Sequence, residues 1–141
     1  MRVWGVFVLG LILAACLLPA RQFALELPGR PGVVEPLPVT LEDRTGLVQA
    51  VGPAQPGQLN IADGIGLGED PSVLVVSWTG GACDRRSHLV FAAANDGYTI
   101  TESTDGDGTC DDIGVLRTVT LGLASPIDPA VVRLSHDPAA P

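Results

Sequence analysis

The chain of 141 residues carries sixteen acidic and eight basic side chains, a net charge of −8, and no lysine. The cations are Arg2, Arg21, Arg30, Arg44, Arg85, Arg86, Arg117 and Arg133, too few and too scattered to offset that field, so binding through nucleic-acid phosphates is excluded. Without lysine there is no Schiff-base or lysine-base chemistry, and the length beyond a leader leaves room for one domain of roughly 100 residues.

Residues 1–20, MRVWGVFVLGLILAACLLPA, place Arg2 before an apolar run ending at Pro19. Charge followed by a short apolar stretch is the order of an export signal. Within it, Leu13-Ala14-Ala15-Cys16 looks like a lipobox, with Cys16 as the lipidated residue. Two alternatives stand beside it: an uncleaved anchor helix with Arg2 on the cytoplasmic side, and cleavage near Ala20. All three place the domain outside the cytoplasmic membrane, which becomes the first expected partner. Oxidation of Cys83 with Cys110 follows, since Cys16 is taken by the anchor. Closing that loop would remove chain entropy worth roughly 3 to 4 kcal/mol.

Residues 21–36, RQFALELPGRPGVVEP, hold three prolines and two glycines and read as a tether. The domain is expected over 37–136, with 137–141 as a loose tail. LPVTL (37–41) and GLVQAV (46–51) suggest a first hairpin around EDRTG. The passage 52–71 is rich in glycine and predicts one short strand near Gln58 to Ala62. SVLVVSWT (72–79) is apolar on both faces, as a central strand would be. SHLVFAAA and YTITEST flank Asn95-Asp96-Gly97, a hairpin signal. VLRTVTLGL alternates apolar residues with a threonine-rich face, and Arg117 interrupts it. AVVRLS (130–135) closes the domain. Short strands without helical period beyond the leader predict an all-β fold: an antiparallel immunoglobulin-like β-sandwich behind an N-terminal signal or anchor helix.

Asp105, Asp107, Asp111 and Asp112 resemble the start of a calcium loop, in which alternate oxygen ligands converge where the chain turns. Thr109 stands at the fifth position, Cys110 replaces the glycine of the sixth, and Leu116 occupies the twelfth, where a glutamate belongs. Asp105, Asp107 and Asp111 are thus weak metal candidates, and an acidic solvated turn is the favoured reading. Cys83, His88 and Cys110 lack zinc spacing. Ser87 and His88 adjoin on a strand and face opposite ways, and His136-Asp137 falls in the tail, so no nucleophilic set forms. Gly80 and Gly81 have no lysine or helix to complete a phosphate loop. No catalytic residue and no cofactor is expected. Arg85, Arg86 and Arg117, near the acidic run, are candidates for contact with a partner.

The run from Val76 to Val132, an aromatic-x-Gly-Gly-x-Cys strand, a hairpin, a second Cys and an Arg-x-Val-x-Leu strand, resembles uncharacterised exported or lipid-anchored bacterial β-domain proteins. The resemblance covers somewhat under half the chain and implies a secreted β-domain without known catalytic residues. The expected function is a non-enzymatic binding or structural module on the outer face of a bacterial membrane, with an unknown envelope protein or ligand as partner. The alternatives are a small envelope enzyme or calcium-binding domain using Asp105 to Asp112 and His88, and an inhibitor acting through an acidic face.

Overall fold

The computed structural model describes residues 19–29, 36–55, 64–106 and 113–138. They form nine strands: β1 (Arg21–Leu27), β2 (Leu37–Asp43), β3 (Val48–Pro53), β4 (Gly64–Leu67), β5 (Val73–Gly81), β6 (Asp84–Ala94), β7 (Gly97–Gly106), β8 (Gly114–Leu123) and β9 (Val132–His136), with a short 3-10 turn at Pro129–Val131. The all-β expectation is met. One sheet has the order β1-β2-β6-β7-β9, the other β3-β8-β5-β4. Signal, anchor, lipobox and Cys16 lie outside the described residues, as does the strand expected near Gln58.

Alternation of side chains along the strands supplies one shared core. Leu37, Val39, Leu41, Leu89, Phe91 and Ile100 from the first sheet meet Val48, Leu74, Val76, Trp78, Val119 and Leu121 from the second. Trp78 and Phe91 are the largest fully buried side chains, and truncating a buried aromatic of this kind costs about 3–5 kcal/mol.

Three expectations need correction. The pairing is mixed, not wholly antiparallel: β2 runs parallel to β6 and β7 parallel to β9. The tether does not begin at Arg21, because 21–27 pair with β2 through seven residues from Arg21↔Asp43 to Leu27↔Leu37. The period-two series Phe23, Leu25, Leu27 turns one side of this segment toward the core. Finally, β2 and β3 are not a hairpin; they belong to different sheets.

Asp43 makes that change of sheet possible. Its buried carboxylate accepts from Thr45 N (2.8 Å), Thr45 Oγ1 (2.6 Å), Gly46 N (3.2 Å) and Val48 N (3.0 Å). One side chain thereby satisfies three backbone N–H groups of the corner, and Leu47 N is met by Thr45 Oγ1 at 3.1 Å. Gly46 takes φ 73° in the bend, where a Cβ would be strained.

The hairpin around Asn95 and Asp96 is present, with Ala94 paired to Gly97. The positive φ falls on Gly97 alone, at 144°. A side chain there would also run into the Val131 carbonyl, so Gly97 brings the turn against the start of β9. Strand β6 therefore runs from a Cys83 end to a hairpin-tip end, and these two ends frame the polar groups.

Candidate functional site

At the Cys83 end the interior turns polar. Arg117 stands on β8 two residues before Val119, so strand alternation points it inward, opposite Trp78 on β5. It is 4% exposed. Burial lowers its pKa from the ordinary guanidinium value, and the Asp84 carboxylate pushes the other way. Arg117 is thus an interior charge rather than the surface contact expected for it.

Asp84 opens β6 beside a bulge that shifts the register before Arg86. Its carboxylate is cradled by Gly80, Gly81 and Gly106, each of which would meet it if it carried a Cβ. Gly81 N donates to Oδ2 at 2.7 Å. Burial raises the carboxyl pKa, while the Gly81 N–H and the Arg117 charge oppose the rise. Gly80 and Gly81, which precede the turn at Cys83, also make room for an acid.

Glu102 on β7 is also buried; the Asp84 charge reaches it and the Ser87 hydroxyl lies beside its carboxylate. His136 Nδ1 hydrogen-bonds to its Oε2 at 2.9 Å. Burial raises the Glu102 pKa, and the hydrogen bond and charge of His136 moderate the effect. Asp137 N donates to the Glu102 carbonyl at 2.7 Å, so 136–137 are a docked strand end and not free tail.

The remaining expected residues separate. Cys83 is disulfide-bonded, whereas Cys110, Asp107, Asp111 and Asp112 lie outside the described residues. Arg85, Arg86 and Asp105 are exposed, and Arg86 sits opposite Asp105. No group of three or more His, Cys, Asp or Glu placed to hold a metal occurs among the described residues. No described helix is long and apolar enough to cross a membrane.

His88 points to the outer face while Ser87 is buried, as alternation requires. Thr40 Oγ1 lies 2.7 Å from His88 Nδ1, and Glu42 Oε2 lies 3.8 Å from Nε2. Arg44 Nε holds Glu42 at 2.6 Å and is the main cause of its lowered pKa. Thr40, Glu42 and His88 share the outer face of the sheet.

At the opposite end a small cleft of about 220 Å³ lies beside the hairpin turn, lined by residues that include Asn95, Asp96, Tyr98 and Arg133. Sequence reasoning missed Asp84, Glu102 and His136 as one group. The parity of Arg117 with Val119 and Leu121, and of Glu102 with Ile100, was the available signal. No protein-family model, curated protein or solved structure matches the chain.

Proposed function

We propose that the chain is a non-enzymatic binding or structural module, exported and held at the outer face of a bacterial membrane. The observation that carries this reading is the disulfide-bonded Cys83 in a chain whose first twenty residues have the order of an export signal. Cys110 is its partner in this reading, Cys16 carries the lipid, and residues 28–36 are what remains of the tether. The domain is a two-layer sandwich of immunoglobulin-like proportions. Arg117 and Asp84 at the Cys83 end serve the interior, and the exposed Arg85 and Arg86 are the cations this reading assigns to contact with a partner.

Intact mass of the protein extracted from its native membrane, with alkylation before and after reduction, tests this reading. The expected mass begins at an acylated Cys16, with two thiols labelled only after reduction. An unmodified full-length chain with three free thiols would overturn it.

The competing reading, a small envelope enzyme, draws on the 2.7 Å contact between Thr40 Oγ1 and His88 Nδ1, the relation of a nucleophile to its base. Hydrolysis of an activated ester by the purified chain, lost in His88→Ala, would establish it. Our proposal expects no turnover above background.

A further inference from the structure

Five buried side-chain atoms among the described residues have no hydrogen-bond partner within the protein: Trp78 Nε1, Ser87 Oγ, Glu102 Oε1, Arg117 Nε and Arg117 Nη2. All of them belong to the Cys83 end. Trp78 and Arg117 are cross-strand neighbours on β5 and β8. Ser87 faces inward on β6, and Glu102 is paired with Leu89, the next inward residue of that strand. Electrostatics link Arg117 to Asp84 and Asp84 to Glu102, and the Ser87 hydroxyl lies close enough to the Glu102 carboxylate to lower its pKa. The four residues with orphan atoms are between 0% and 4% exposed, so bulk solvent does not reach them.

Such atoms carry the full desolvation penalty unless something pairs with them. Their chemistry specifies what that is. Three are N–H donors contributed by the β8 and β5 sheet; facing them from the other sheet are a hydroxyl, which donates and accepts, and a carboxylate oxygen, which accepts. The two sets are complementary, yet no hydrogen bond joins them. The Asp84 carboxylate is engaged by Gly81 N–H in the cradle of Gly80, Gly81 and Gly106.

A cation at this place would meet the Arg117 charge, and an anion would join Asp84 and Glu102. A small neutral molecule able both to donate and to accept meets neither objection. We propose that the interior at the Cys83 end is a built site for ordered water, which bridges Arg117 and Trp78 on one sheet to Ser87 and Glu102 on the other. Each water takes two or more of the orphan atoms, as buried waters do. The buried guanidinium is thus joined to its carboxylate partner through solvent that belongs to the fold.

The indole of Trp78 reports on this site directly. The chain has two tryptophans, so Trp4→Phe assigns the Trp78 Nε1–H resonance in the full-length, ¹⁵N-labelled protein in detergent micelles. Cross-relaxation with water, measured in the laboratory and rotating frames, is expected to show a cross-peak of the sign given by a molecule held far longer than surface hydration. The peak is expected to persist in Ser87→Ala, or in Ser87→Val should the smaller side chain prevent folding, since the hydroxyl is not its source. No water cross-peak at the Trp78 indole would overturn the proposal.

Discussion

Two charged side chains are buried at opposite ends of the same sandwich, and they are accommodated in opposite ways. Asp43, at the hairpin-tip end, is 1% exposed and accepts four hydrogen bonds from residues two to five positions ahead of it. Arg117, at the Cys83 end, is 4% exposed, leaves Nε and Nη2 without a protein partner, and is balanced by the Asp84 carboxylate of β6. A buried charge is tolerated when it is solvated by its own loop or balanced by a distant group. Each solution makes a different part of the chain indispensable.

Substitutions that remove one solution and spare the other sharpen this contrast. The largest effect is expected for Arg117→Met, which leaves the half-buried Asp84 without its counter-charge and empties a polar position of the core. The loss of unfolding free energy should be about 3–5 kcal/mol by urea denaturation. Asp43→Ala comes next, at about 2–3 kcal/mol, since it strands the backbone N–H groups of the corner. A change of less than about 0.5 kcal/mol there would show that water replaces the carboxylate.

Glu102→Gln acts mainly through pH. Burial raises the Glu102 carboxyl, so the folded protein holds that proton more tightly than the unfolded chain, whose group titrates near 4.5. The stabilising contribution is complete below that value and is lost as pH rises through the folded one. Denaturation series between pH 4 and 8 should show wild type declining against Glu102→Gln as pH rises; parallel curves would contradict this. Arg133→Ala, at the exposed cleft beside the hairpin tip, should change stability by less than about 0.5 kcal/mol.

The same contrast explains what was legible in the sequence. Strand positions follow from runs such as VLVVSW and from Asn95-Asp96-Gly97, because alternation and turn chemistry are local. Strand β1 was legible too, in the alternation of Phe23, Leu25 and Leu27, but the prolines and glycines of 28–36 drew the whole segment into a tether. The Asp43 corner looked like a hairpin turn, since a turn-rich connection between two strand-like runs does not say whether the second strand returns beside the first or crosses to the other sheet. The group around Arg117 was least legible. Its members span Trp78 to His136, and only the register of five strands brings them together. Arg117 looked like an interruption of an apolar series when it was a member of it.

The measurement that tests the account most directly is a double-mutant cycle of Arg117→Met and Glu102→Gln, read by urea denaturation of the full chain in micelles at neutral pH. The account predicts that the double variant is more stable than the sum of the single losses implies, with a coupling of about 1 kcal/mol or more. Losses that add to within about 0.3 kcal/mol would contradict it, because Arg117 and Glu102 would then be independent residues that happen to share one end of the core.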